Sequence, residues 1–273
     1  MTFPAATGHP LNSPLGRFGV TTLLDSPERY VATLPLAHLR NPLTGAVTLG
    51  PLAVLVDYVA GLVNHLRRDA DEWTVSGELS LDLTPDAATV VTRDPEVPVL
   101  GTAHPFGTKG STSLGVCTLT HDGVEIGTGS VRSVHIPRPE VFADPHDQRP
   151  EHNGVRPTEL ADIMSVRVGR DRPGAVLYQQ PTSGLNNDMG IVNGGVAATG
   201  LELVAAAALN ADRSAPLRTA SLRVSFLRPL LCGNDSRYEA TVLRAGRRTG
   251  MADAVAIGAD GAQALAARVT AYA

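Results

Sequence analysis

The sequence is constrained most by one stretch that occurs twice. Asn186-Asn187-Asp188-Met189-Gly190-Ile191-Val192-Asn193-Gly194-Gly195 runs straight into Val196–Leu209, a segment built almost wholly of Val, Ala and Leu. A loop rich in Asn and Gly therefore opens onto a helix that is apolar on every side, and such a helix belongs inside a fold. Its single charge is Glu202, flanked at helical spacing by Ala198, Thr199, Ala205 and Ala206. An acid there must be desolvated unless it faces a cleft. The same plan appears earlier: Asn41-Pro42-Leu43-Thr44-Gly45-Ala46-Val47-Thr48-Leu49-Gly50 leads into Pro51–His65, whose lone acid is Asp57. Gly45, Gly50 and Asp57 each fall 145 positions before Gly190, Gly195 and Glu202. Three coincident offsets read as a duplication.

The surrounding segments repeat as well. Extended stretches near Arg17–Leu24 and Tyr30–Leu36 precede the first helix, which runs from Leu52 to about Arg67. Leu79, Leu81 and Leu83 then alternate with Ser80, Asp82 and Thr84, a period-two strand closed by Pro85. Further strands are expected at Thr89–Thr92, Val99–Ala103, Ser111–Thr120 and Val124–Ile136, with a hairpin turn at Asp122-Gly123. After a short helix near Thr158–Met164 the second half repeats the order, with strands near Val166–Gly169, Ala175–Gln180 and Leu222–Phe226. It closes with a hairpin at Asp260-Gly261, between Met251–Ala259 and Gln263–Tyr272.

Residues 1–137 and 158–273 thus form two repeats, and the Pro-rich, aperiodic 138–157 is the expected linker. One long helix wrapped by an antiparallel meander, twice in tandem, is the α+β arrangement called the double hotdog. Pairing the two halves through their sheet edges would bury what each alone leaves exposed.

Composition narrows the function. A net charge of −4 over 273 residues, with pI near 6.0, argues against a nucleic-acid surface. Cys117 and Cys232 stand far apart in apolar surroundings, so free thiols are expected rather than a disulfide or a metal site. The first fourteen residues lack an apolar core, and the longest apolar run is too short to span a bilayer. A cytoplasmic protein without membrane contact follows as the expectation.

At Asn187-x-x-Gly190-x-x-Asn193-Gly194-Gly195, with Glu202 nine residues past Asn193, the sequence resembles the phenylacetate-pathway type of hotdog acyl-CoA thioesterase. The usual pattern there is Asn-x-x-Gly-x-x-His-Gly-Gly followed by Asp. Asn193 departs from the His and Glu202 from the Asp. The first half matches less well: Thr48 stands at the His position, Leu49 at the first glycine, and Asn41 is displaced by one. The resemblance implies that the loop of each half faces the helix acid of the other. One site would join Asn187, Asn193 and Gly194 with Asp57, and the other Asn41 and Leu49 with Glu202. The first has the better loop. Gly195 and Gly50 are the corresponding substrate-side glycines. A family hydroxyl ten residues before the strand-ending proline corresponds to Thr219 in one half and to Val75, with Ser76 adjacent, in the other.

The chemistry can be stated without the resemblance. Amides at a helix N-terminus polarise a thioester carbonyl, and a desolvated carboxylate activates water or attacks directly. The implied activity is hydrolysis of an acyl-CoA to free acid and CoA. CoA enters as part of the substrate, with no separate cofactor and no metal, and further association of double-hotdog units is an open expectation. Each residue also has a plainer reading. Glu202 can be a structural acid, Asn187 and Asn193 can shape turns, and the glycines can serve packing. Thr219 and Ser76 can be ordinary strand residues, and His65 a helix-end residue. Two rival functions remain: a non-catalytic acyl-CoA binding or regulatory module, and an enoyl-CoA hydratase. The hydratase needs Asp-x-x-x-x-His, and Leu62 and Ala207 occupy those His positions.

Overall fold

In the computed structural model, residues 6–37, 39–140, 154–169, 174–211 and 213–273 are described. The two apolar runs form the two long helices among them. Before the first come β1 (Thr7–Gly8), α1 (Pro14–Phe18), β2 (Thr21–Asp25) and β3 (Tyr30–Leu34). Then α2 (Leu52–His65) buries Leu52, Leu55, Val56, Val59, Ala60 and Val63. The meander follows as β4 (Glu72–Leu83), α3 (Ala87–Arg93), β5 (Val99–Phe106), β6 (Thr112–His121) and β7 (Val124–Pro137). The second half contains α4 (Leu160–Ile163), β8 (Val166–Val168), β9 (Val176–Gln179) and a 3-10 turn at Ser183–Leu185. Its central helix is α5 (Gly194–Asn210), followed by β10 (Arg218–Phe226), β11 (Arg237–Ala245), β12 (Thr249–Ile257) and β13 (Gln263–Tyr272).

All thirteen strands join one antiparallel sheet in the order β1-β2-β3-β5-β6-β7-β4-β10-β13-β12-β11-β9-β8. The halves meet where β4 pairs with β10, placing Leu79 opposite Val224 and Leu81 opposite Leu222. These four side chains are buried, so the period-two pattern of both strands is spent on the seam. On the outer face Arg223 Nη2 lies 2.7 and 2.9 Å from the two Asp82 oxygens and ties the same strands together. Each half is therefore a long helix in a curved antiparallel sheet, and the chain has the α+β double-hotdog fold.

Corresponding turns share backbone geometry. Gly45 and Gly190 both adopt the left-handed region, at φ 70° and 73°. Asp122 and Gly123 both have positive φ, as a two-residue hairpin turn requires.

Several expectations are corrected. Thr89–Thr92 lies in helix α3, whose Ala87 and Val91, four apart, face inward; tertiary contact overrides the β preference of Thr and Val. The stretch at Arg17 starts as helix α1, with Ser13 as N-cap and Gly19 closing it at φ 72°, before β2 begins. The N-terminal arm is held in part, because β1 pairs with β2. Strand β11 was not anticipated; its outer half is exposed and lacks a clean alternation. Most of the expected linker, residues 141–153, lies outside the described residues.

Candidate active site

The loop before α5 positions the helix through its own side chains. Asn187 Oδ1 accepts from the Met189 and Ile191 amides at 2.9 and 3.4 Å. Asn193 is the N-cap of α5, its Oδ1 accepting from the Val196 amide at 3.2 Å. Both asparagines are thus engaged locally, and among the described residues no hydrogen bond brings either to a carboxylate; the family His position is used here to start the helix.

What the loop delivers is the helix tip itself. A Cβ on Gly195 would stand 2.5 Å from Val54 Cα and 2.9 Å from the Ala53 carbonyl oxygen, so only glycine lets α5 begin this close to α2. The Gly195 amide consequently donates to Asp57 Oδ2 at 2.8 Å, across the boundary between halves. Ser76, on β4, donates to Asp57 Oδ1 at 3.1 Å. Counting from Pro85 suggested Val75, but one residue separates the end of β4 from Pro85 and two separate the end of β10 from Pro229, so the hydroxyl that reaches the acid is the adjacent Ser76. A Cβ on Gly194 would lie 3.1 Å from Asp57 Oδ2 and from the Phe226 ring. The Gly194 amide, in the unpaired first turn, has no hydrogen-bond partner among the described residues. Asp57 is half-buried. Burial pushes its carboxyl above the ordinary range, opposed by the Gly195 amide and the Ser76 hydroxyl.

Glu202 occupies the equivalent position in α5 but a different setting. It is 3 % exposed. Thr219 donates to Oε1 at 2.6 Å and Thr48 to Oε2 at 3.2 Å. The Gly50 amide is taken by Thr48 Oγ1 at 3.0 Å, and the next residue, Pro51, has no N–H. A Cβ on Gly50 would overlap the Glu202 carboxylate. Burial again raises the carboxyl, with Thr219 and Thr48 opposing. Asn41 donates to the Leu203 carbonyl at 2.8 Å and accepts from Leu43 at 2.9 Å. It clamps the first loop to α5 beside Glu202 without touching that acid. Leu49 is buried, and its carbonyl accepts from Leu52.

Each acid thus meets the tip of the opposite helix, Asp57 at Gly194–Gly195 and Glu202 at Thr48 and Gly50. Asn187, Asn193 and Asn41 make their hydrogen bonds elsewhere, and the two sites are unequal. One carboxylate is half-open beside a free helix-tip amide; the other is sealed and saturated with hydroxyl donors. Thr48 was not among the expected site residues, although its offset from Asn193 marked the position. Sequence reading also missed the cluster next to Asp57 along α2, where Tyr58 Oη lies 2.8 Å from both Thr22 Oγ1 and Tyr30 Oη. Two surface depressions, of about 330 and 290 Å³, are lined by residues around Val176 and Glu239 and around Ser80 and Arg223, and neither lining includes Asp57 or Glu202. Distance and burial, not cavity size, mark this site. Both cysteines are free, and among the described residues no His/Cys/Asp/Glu group could hold a metal ion. No described helix is long and apolar enough to cross a membrane.

Comparison with known proteins agrees with this architecture. No curated protein matches the sequence. Among solved structures, the tesB protein of Mycobacterium avium subsp. paratuberculosis is similar at TM-score 0.59 and 12 % identity, over 92 % of this chain and 95 % of that one. The acyl-CoA thioesterase II TesB2 of Mycobacterium marinum is similar at TM-score 0.58 and 12 % identity, over 92 % and 93 %. The 12:0-ACP thioesterase of Umbellularia californica is similar at 0.55 and 12 %, over 89 % and 93 %. Residues 189–264, which include the α5 tip, Glu202 and Thr219, match the model of the Thioesterase superfamily, and most of the chain shares the hotdog fold of these structures.

Proposed function

We propose that this chain hydrolyses an acyl-CoA thioester to free acid and CoA, at the Asp57 site. The observation that carries the reading is the contact across the halves: the Asp57 carboxylate meets the Gly194–Gly195 helix tip, with one amide of that tip unclaimed. A thioester carbonyl oxygen placed at the Gly194 N–H gains a donor aligned with the α5 dipole. Asp57, raised in basicity by burial, takes a proton from water as the water oxygen attacks the carbonyl carbon. Collapse of the tetrahedral intermediate breaks the C–S bond, and the leaving thiolate recovers the proton from Asp57. Ser76 holds the carboxylate in place. Glu202, Thr219, Thr48, Gly50 and Asn41 form the structural counterpart in the other half. The loop pattern supports the phenylacetate-pathway subtype, with Asn193 taking a capping role at the His position. The halves 1–137 and 158–273 act as one unit in a reducing cytoplasm, a setting that two free cysteines favour.

The capping role of Asn193 favours a second reading, a non-catalytic acyl-CoA binder. Thiol release from a panel of acyl-CoAs, followed with a thiol reagent, separates the two. Turnover by the wild type and its loss in Asp57→Asn are expected; binding of an acyl-CoA without release across the panel would establish the binder.

A further inference from the structure

A glycine inside a helix costs about 1 kcal/mol relative to alanine, so each one in α2 and α5 calls for a reason. Gly195 passes the α2 backbone, and at Gly200 a Cβ would stand 2.7 Å from the Tyr238 ring. Gly61, in the middle of α2, has none: nothing lies within 4 Å of where its Cβ would be. Gly61 is one turn beyond Asp57 on the same face of α2, and His65 is one turn further. Both ends of this stretch are tied to β4, Asp57 to Ser76 at 3.1 Å and His65 Nδ1 to Thr74 Oγ1 at 2.7 Å. The Trp73 ring meets His65 edge-on, with centroids 4.4 Å apart. Open space over Gly61, on the face of α2 between Asp57 and His65 and beside the strand that carries Ser76 and Thr74, therefore gives a candidate slot next to the proposed reacting carboxylate.

The other half lacks it. Ala206 and Asn210 stand at the corresponding positions, 145 residues on. Asn210 donates to the Ala206 and Leu217 carbonyls at 2.9 and 3.0 Å and accepts from the Leu217 amide at 2.8 Å, stitching the helix end to its strand.

We infer that the slot over Gly61 takes the pantetheine arm of the thioester, the part common to coenzyme A and to phosphopantetheinylated carrier protein. This inference rests on Asp57 being the reacting carboxylate. Two hydroxyls and an imidazole suit an arm carrying amides, whereas a hydrocarbon chain gains nothing from them and would strip them of water. Burial, with Arg68 and His135 nearby, lowers His65 to about 4, so at neutral pH its ring is uncharged and, with Nδ1 engaged by Thr74, leaves Nε2 for a neutral hydrogen bond. The span from Asp57 to His65 is about 12 Å along the helix, roughly three to four units of an extended peptide-like chain. Pantetheine is three such units: pantoate, β-alanine and cysteamine.

Titrating pantetheine and a free fatty acid separately into the wild type and Gly61→Val tests this, with unfolding midpoints as the fold control. Pantetheine binding to the wild type is expected, weakened about tenfold or more in the variant. Binding of the fatty acid should change less than threefold. Absence of pantetheine binding, equal binding to both proteins, or a loss confined to the fatty acid overturns the assignment. Gly61→Ala, a smaller intrusion with better helix propensity, serves if Gly61→Val lowers the midpoint. Parallel titrations with coenzyme A and with the carrier protein identify which source of the arm is taken. Turnover of Asp57→Asn reports on the catalytic reading independently of these binding measurements.

Discussion

Replacing Asp57 by Asn removes the proposed base while keeping the shape of the side chain. The asparagine can present its oxygen to the Gly195 amide, now 2.8 Å from Oδ2, and its amide to the Ser76 oxygen, now donating to Oδ1 at 3.1 Å. Both hydrogen bonds survive in altered polarity, so stability should shift by no more than about 1 kcal/mol. Activity should not survive. General-base assistance is worth roughly 10²–10⁴ in rate, or about 2.7–5.4 kcal/mol of transition-state stabilisation. Glu202→Gln is the matched comparison, because Glu202 is sealed by Thr219 and Thr48 and has no free amide beside it. It should lower kcat/KM by less than about tenfold. The assay is kcat/KM by thiol release on the best substrate of the panel, with the unfolding midpoint of each variant measured alongside. Asp57→Asn within about threefold of wild type, at unchanged midpoint, would refute the assignment. Equal losses in the two variants would refute the inequality of the sites.

Other expectations follow from the same geometry. Because burial raises Asp57 and the ionised form is the base, kcat/KM should rise with pH along an acid limb above 3.8; a limb at or below that value counts against the base assignment. Glu202 is raised in the folded state, so its contribution to stability is complete below its unfolded pKa and is lost as pH rises through the folded value. Melting midpoints across pH 4–8 should therefore fall less steeply in Glu202→Gln than in the wild type, and parallel curves would contradict the burial argument. Gly195→Ala drives a methyl into the Val54 backbone, costing about 1–3 kcal/mol in urea unfolding. Asn193→Ala removes the cap of α5 and should cost about 1 kcal/mol by the same measurement.

The sequence by itself determined the two central helices and the strands at the seam, because each is written in local periodicity. Apolar runs interrupted by one acid mark α2 and α5, and alternating leucines mark β4. The pairing of each acid with the opposite loop is implied by the resemblance to hotdog thioesterases and is not written in the periodicity. Local pattern misled where a neighbour overrode propensity, as in α3, where Ala87 and Val91 find the sheet. It was silent about β11, whose exposed outer half has no buried face to impose alternation.

Only the tertiary structure decided what the site residues do. Asn187 and Asn193 have the composition of a binding loop, yet their side chains close a turn and a helix cap. Ser76 rather than Val75 faces Asp57, because one residue separates the end of β4 from Pro85 whereas two separate the end of β10 from Pro229. The two acids, which the sequence ranked only by their loops, differ in exposure and in the donors left to a substrate. That difference comes from contacts between residues about 140 positions apart, and it exists only once the halves have packed.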